Sequence, residues 1–395
     1  MAVSVYFIAE VVERVAPKAW AETWDNVGIL IGDGAAKVER ILLALDPSPE
    51  VVQEAIDYGA ELIVGHHPLL FRPLKNLRTD NRQADIPIQL IQHGIAYYAA
   101  HTNLDQSRFS SSWTLGEALG LQTMDILDPT GGEGLLKLVV FVPQSDVDSV
   151  REVLAGVGVG QAVTDGAHSA YYSDVFFQAS GDGMFKPLPG SHPTVGNIGE
   201  LTHVAEVRLE SILPERLAAH AVKALKKAHP YEEPAYDLIP LRNTGKARGY
   251  GVIGLLPEAE SLERVWGRLA ARLSPSVSSS LHEASLFASS HDLSSVRFAG
   301  DRSKPIRKVA IANGSGGSFI PKALARGADL LIAGDVDHHQ VLDALQGGMT
   351  VCDMGHFLSE APMLKTLADY FKEEKALRDV EIMVSRTSLP WRVRA

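Results

Sequence analysis

Two adjacent histidines, His66 and His67, follow the apolar run Leu62 to Val64 and a glycine in the segment ELIVGHHPLLF. Farther along, HTNLD supplies His101 and Asp105, and GHFLSE supplies His356 and Glu360. The last two are four residues apart, so on a helix an imidazole and a carboxylate share one face. His66 and His67 are successive, so their side chains diverge and more naturally feed two neighbouring ions than chelate one. A carboxylate such as Asp105 can bridge two cations through its two oxygens. His66, His67, Asp105, His356 and Glu360 form a mixed nitrogen and oxygen set that suits two divalent cations of Zn, Mn, Fe or Co. The single cysteine, Cys352, excludes a thiolate cluster. Paired cations lower the pKa of a bound water and polarise the group it attacks, which is the chemistry of metal-assisted hydrolysis. His101, beside the turn that carries Asp105, is the candidate for proton transfer, with an orienting role as the alternative.

The elements around these residues explain why they should meet. RILLALD reads as a buried strand. The helix after it opens with Ser48 as N-cap and Pro49 at its first position, carries the stripe Val51, Val52, Ala55 and Ile56, and closes at Gly59. AELIVG is the next strand, IPIQLIQHG a short helix, and IAYYAA a third strand that runs into HTNLD. Residues 307 to 356 repeat the design: strand RKVAIAN, a glycine-rich turn and helix, strand ADLLIAGD, helix DHHQVLDALQ, strand MTVCDMG, then the helical HFLSEAPMLKTLADYFKEE. YGAELIVGHH and RGADLLIAGD are locally alike, which suggests two related α/β halves with a mainly parallel sheet. Such sheets bind ligands at the carboxyl ends of their strands. All five candidate ligands fall there, as does Asp335.

Residues 135 to 241 break the rhythm. LLKLVVFV, SDVDSVREVLAG, YYSDVFFQAS, the alternating AEVRLE, PERLAAHAVKALKKAH and PAYDLIPL follow the order βαββαβ, that of a ferredoxin-like α+β domain. The expected organisation is a first α/β half over 1–130, an inserted ferredoxin-like domain over 131–243, and a second α/β half over 244–395. The serine-rich stretch 274–295 reads as a loop or frayed linker.

Other conspicuous motifs have plainer explanations. The second histidine pair, His338–His339, reads as a helix start with cap or surface roles. GSGGS (314–318) lacks the form of a phosphate-binding loop and reads as a tight turn. WDNVG (24–28) either lines the cleft or forms a turn before a strand. HPYEEPAYD (229–237) looks like a chelator but reads better as a solvated, proline-bounded strand entry.

The totals bound the function classes. The chain has 395 residues, 46% of them apolar and 22% charged, which fits a soluble globular protein with a substantial core. A formal net charge of −11 argues against nucleic acid as a partner, because a polyphosphate surface needs clustered Lys and Arg. The N-terminus MAVSVYFIAEVVERVAP carries Glu10 and Glu13 among its apolar residues and reads as an amphipathic helix, not a signal peptide. No apolar run reaches membrane-spanning length. With one cysteine, the expected address is the cytoplasm.

WDNVGILIG, VGHHPLLF, HTNLD, NGSGGSFI, GDVDHH and GHFLSE together resemble the family labelled GTP cyclohydrolase I type 2 homolog, the NIF-three-like proteins. The resemblance extends over the whole chain, and GMFKPLPGSHPTVG with HPYEEPAYD resembles the longer bacterial members. It implies a two-metal site held by His66, His67, Asp105, His356 and Glu360, and a ring-shaped homohexamer with the insert at the ring openings. Two readings of function follow. One is a di-metal hydrolase of a nucleotide-like small molecule, cleaving a C–N bond in a purine-like ring or a phosphoester. The other is a non-catalytic metal-binding regulator or metal carrier with a ligand-sensing insert.

Overall fold

The computed structural model describes residues 3–161, 172–273 and 293–387. Most of the serine-rich stretch 274–295 lies outside the described residues. The chain divides into two compact units, one formed by Met1–Pro129 with Gly249–Ala395 and the other by Thr130–Arg248. Two long strands, Gln122–Pro143 and Tyr236–Glu260, carry the chain out of the first unit and back.

The first unit is α/β. One sheet centres on strand Leu62–Gly65, which pairs in parallel with Arg40–Ala44 on one side and Ala96–Ala99 on the other. An antiparallel strand, Gly28–Ile31, lies beside Ala96–Ala99. The far edge is Glu381–Val384, parallel to Arg40–Ala44, so the last strand among the described residues completes a sheet begun near the start of the chain. All four residues of Leu62–Gly65 are buried, as a central parallel strand requires. The helix Pro49–Tyr58 covers this sheet with Val51, Val52 and Ala55. Ser48 Oγ accepts from Val51 N at 3.3 Å, and Gly59 closes the helix in the left-handed conformation. On the opposite face, helices Val5–Val15 and Pro362–Glu373 bury Ile8, Val12, Leu367 and Phe371.

In the second sheet of this unit, Leu330–Gly334 lies parallel to both Ile306–Ser315 and Thr350–Asp353. Ile306–Ser315 pairs antiparallel with the Val252–Leu255 part of the long returning strand, and Thr350–Asp353 pairs antiparallel with Arg297–Ala299. Helices Ser111–Ala118 and Leu262–Leu273 cover one face with Leu115, Val265 and Leu269. His338 and His339 begin the helix His338–Gln346 behind an Asp337 capping box, as their sequence context suggests.

In the second unit, helix Val147–Gly156, strand Phe176–Phe185, strand Thr202–Pro214 and helix Ala218–Ala228 lie between the two long strands. Thr202–Pro214 pairs antiparallel with Leu135–Pro143 and with Phe176–Phe185. Val150 and Leu154 pack with Leu138, Val140, Leu209 and Leu225 in a core of the unit's own. Among the described residues no helix is long and apolar enough to cross a membrane.

Candidate metal centre

The hydrogen bonding of the central strand does not stop at Gly65. His66 N donates to Ala44 O at 3.0 Å and His67 N to Leu45 O at 2.9 Å, so both histidines are held as an extension of the sheet. Alternation along an extended backbone starts the two side chains on opposite sides, yet their rings come back to within 5.0 Å of each other, centroid to centroid, rather than diverging as the sequence suggests. The His66 side chain is 1% exposed and that of His67 21%. Tyr97, from the neighbouring strand, donates its hydroxyl to His67 O at 2.7 Å. A Cβ at Gly65 would collide with that hydroxyl, so the glycine permits the anchor.

His101 follows strand Ala96–Ala99 by two residues and caps the one-turn helix Thr102–Asp105, which delivers Asp105 to the same place. From the second sheet, Gly355, with φ of 70°, turns the chain into helix His356–Glu360. His356 Nε2 and Glu360 Oε2 lie 3.2 Å apart on one face of that helix.

The five candidate ligands are thereby brought together. Glu360 Oε2 is 3.1 Å from His67 Nε2, and Glu360 Oε1 is 3.9 Å from His66 Nε2. His66 Nε2 is also 3.7 Å from Asp105 Oδ2, and His67 Nε2 is 3.4 Å from His356 Nε2. Three overlapping ligand groups result, each with donor atoms mutually within 4.8 Å: His66 with Asp105 and Glu360, His67 with His356 and Glu360, and His66 with His67 and His101. Glu360 is common to the first two groups, Asp105 belongs to the His66 group alone, and His101 joins the cluster as a sixth possible ligand.

Hydrogen bonds behind the rings fix which nitrogen faces inward. His66 Nδ1 lies 2.7 Å from Ala100 O. A carbonyl only accepts, so Nδ1 carries the proton and a neutral ring presents a bare Nε2 lone pair. That Nε2 is buried without a hydrogen-bond partner, and its nearest neighbours across the cluster are carboxylate oxygens, also acceptors. The other rings are backed by carboxylates: His67 Nδ1 by Asp46 Oδ1 at 2.7 Å, His356 Nδ1 by Asp335 Oδ2 at 2.8 Å, and His101 Nδ1 by Asp25 Oδ1 at 2.9 Å. This is how metal-binding imidazoles are oriented, with the outer nitrogen donating to an acceptor and the inner one bare. Asn313 holds Asp105 from the side, donating from Nδ2 to Oδ1 at 2.7 Å. Lone pairs converging on one another create a strongly negative void unless protons lie between them, and a divalent cation is a group that fits it.

Without a cation, the cluster must share protons. Burial, followed by the Glu360 charge, lifts Asp105 to about 7. Burial pushes Glu360 the same way, but hydrogen bonds from His356 and His67 outweigh it and hold that carboxyl below the usual carboxylate range. Burial, above all, holds His66 down to about 3. Burial also opposes the charge on His67, yet Asp46 and Glu360 raise it to about 10. His356 rises to about 9, chiefly through Glu360. Burial opposes ionisation of Asp25 too, but His101 and Thr102 bring it to about 2.

Sequence reasoning did not assign Asp25, Asp46 or Asn313, and left Asp335 as a strand-end carboxylate without a partner. The available signal was positional: Asp46 and Asp335 each end a strand that lies beside a ligand-bearing one. Of the two readings of WDNVG, the turn before strand Gly28–Ile31 is the one found, and its Asp25 backs His101. In GSGGS, Gly314 donates its N–H to Ser359 Oγ at 3.0 Å, and a Cβ there would strike Glu360 Oε1.

Comparison with known proteins agrees with the motifs. The model of the Duf34/NIF3 (NGG1p interacting factor 3) family matches residues 3–390. The chain is 39% identical over 374 residues to a Halalkalibacterium halodurans protein named GTP cyclohydrolase 1 type 2 homolog, covering 94% of this chain and 92% of that one. A Bacillus subtilis protein of the same name is 36% identical over 351 residues, or 89% and 87% of the two chains. Among solved structures, a Bacillus cereus protein related to NIF3 superposes with a TM-score of 0.83 at 35% identity, covering 99% of each chain. A Staphylococcus aureus protein superposes at 0.70 with 28% identity and the same coverage. With a family model spanning nearly its whole length and relatives this similar from end to end, the chain belongs to the Duf34/NIF3 family.

Proposed function

We propose that the cluster is a dinuclear divalent-metal centre held by His66, His67, Asp105, His356 and Glu360, and that the protein is a hydrolase of a nucleotide-like small molecule. The observation that carries the metal reading is His66 Nε2, a buried lone pair without a partner, aimed at two carboxylates. When bound, the two cations would lower the pKa of a water and polarise the group under attack, whether a C–N bond of a purine-like ring or a phosphoester.

The chain's own residues do the rest. Asp46 and Asp335 keep the inner nitrogens of His67 and His356 bare, and Asn313 fixes the orientation of Asp105. His101 has its Nδ1 committed to Asp25, which leaves Nε2 available to take up and return a proton at the reacting group. The relatives' name, a cyclohydrolase homolog, supports the substrate class by analogy.

In the same reading the second unit is a ferredoxin-like domain inserted between two α/β halves, which its element order and antiparallel pairing support. The protein assembles as a toroidal homohexamer in the cytoplasm. Metal-loaded protein and a His101→Ala variant, incubated with nucleotides and phosphoesters and followed by mass spectrometry, test the activity. Turnover of one substrate class that the variant loses while keeping its metal supports the hydrolase. Full metal loading with no turnover across the panel would contradict it and favour a regulator or metal carrier.

A further inference from the structure

HPYEEPAYD and GMFKPLPGSHPTVG, which the metal centre leaves unused, line a single cavity of about 490 Å³ within the second unit. We propose that this cavity binds a small organic cation, an amine or amidine carried on a flat or apolar body.

The size is that of a small-molecule site. The walls are aromatic: Phe141, Phe185 and Tyr231, with the Phe185 and Tyr231 rings 5.8 Å apart. Three glutamates, Glu206, Glu232 and Glu233, join the lining, which contains no lysine or arginine. None of the three has an ion-pair partner among the described residues. Aromatic faces and carboxylates attract the same ligand charge. Phosphate-bearing nucleotides, the substrate class proposed for the metal centre, are repelled by such a lining, so this site serves a different ligand.

The cavity is also built. Tyr231 donates its hydroxyl to Glu206 Oε1 at 2.9 Å, which leaves Oε2 for a ligand. Gly183 clears the space for that carboxylate, since a Cβ there would run into Glu206. His229 donates from Nε2 to Phe141 O at 2.9 Å and accepts at Nδ1 from Tyr231 N at 3.1 Å, which fixes the wall that carries Tyr231. The two motifs are tied to each other by His192 N donating to Glu232 Oε2 at 3.0 Å and Thr194 Oγ1 donating to Pro230 O at 2.8 Å. A charged group placed in a formed pocket meets acceptors that need no reorganisation, which favours affinity.

Tryptamine as the cationic probe and indole-3-acetate as its anionic counterpart test the proposal on the full chain by calorimetry and ligand-observed NMR. The expected result is saturable binding of tryptamine, at least tenfold tighter than that of indole-3-acetate, and a loss of roughly tenfold in Glu206→Gln. Glu232→Gln, at an exposed position, should weaken tryptamine severalfold and serves if Glu206→Gln misfolds. Equal binding of both probes, binding of neither at millimolar concentration, or tryptamine affinity unchanged in the folded variants would overturn it. Loss of metal from His66→Ala should leave tryptamine binding intact.

Discussion

The Nε2 atoms of His67 and His356 stand 3.4 Å apart although the residues are 289 positions apart in the chain. Each ring turns its Nδ1 away, to Asp46 and to Asp335. Two imidazoles arranged this way from two different sheets face each other lone pair to lone pair, unless a proton or a cation lies between them. Glu360 Oε2, within 3.2 Å of both nitrogens, adds a negative charge at the same point.

The backing carboxylates are therefore expected to matter without touching a metal. Asp335→Ala and Asp46→Ala remove side chains that are about half exposed, so both variants should fold. Each should weaken metal binding by roughly 10–100-fold through loss of ring orientation and basicity. Competition against a chromogenic chelator measures this, and affinity equal to wild type in both variants would mean that Asp46 and Asp335 are merely surface partners of the rings.

Gly314 offers a test from a residue that supplies no ligand. Its φ of 64° lies in the left-handed region, and a Cβ would meet Glu360 Oε1. Gly314→Ala should cost about 1–2 kcal/mol in backbone strain and also displace Glu360. Both a lower thermal midpoint and a weaker metal affinity are expected. A variant destabilised but unchanged in metal affinity would show that Glu360 tolerates the intrusion without leaving its place.

Metal affinity should rise with pH. In the metal-free cluster the pKa of His67 lies at about 10, that of His356 at about 9 and that of Asp105 at about 7. Coordination requires bare nitrogens and an ionised carboxylate, so the metal-free state holds more protons than the loaded one and binding releases them. The same histidine shifts give the metal-free fold a stability that is fully present below the unfolded value of about 6.5. That stability is lost as pH rises through the folded values of about 9 and 10. Calorimetric titrations at about pH 6.5 and about pH 8, in buffers of different ionisation enthalpy, should show tighter binding at the higher pH and proton release at both. Binding without proton release would mean that the rings are neutral before the metal arrives.

What the sequence revealed and what it hid follow one physical division. Local grammar was legible: Ser48, Pro49 and Gly59 punctuate a helix whatever surrounds it, and the spacing of His356 and Glu360 places them on one face. Strand ends next to helix starts were legible too, and they gather the candidate residues. The pairing of Glu381–Val384 with Arg40–Ala44 was not, because a four-residue strand carries no record of its partner. Gly131, Gly132 and Gly134 stand at the expected entry to the insert, yet strand Gln122–Pro143 runs through them, the ladder overriding local preference. Asp25, Asp46 and Asp335 were hidden for another reason. A short carboxylate in a loop looks the same whether it caps a helix or grips an imidazole from a distant segment.

The dinuclear centre itself is tested most directly by elemental analysis of the purified chain, reloaded with Zn, Mn, Fe or Co at neutral pH, beside Glu360→Gln. Glu360 is common to the His66–Asp105 group and the His67–His356 group, so its loss should open both positions at once. The expected result is about two divalent cations per chain in the unaltered protein and less than about one in the variant. An unaltered chain that retains no transition metal after reloading, or a variant that retains as much as its parent, would contradict a metal centre at these residues.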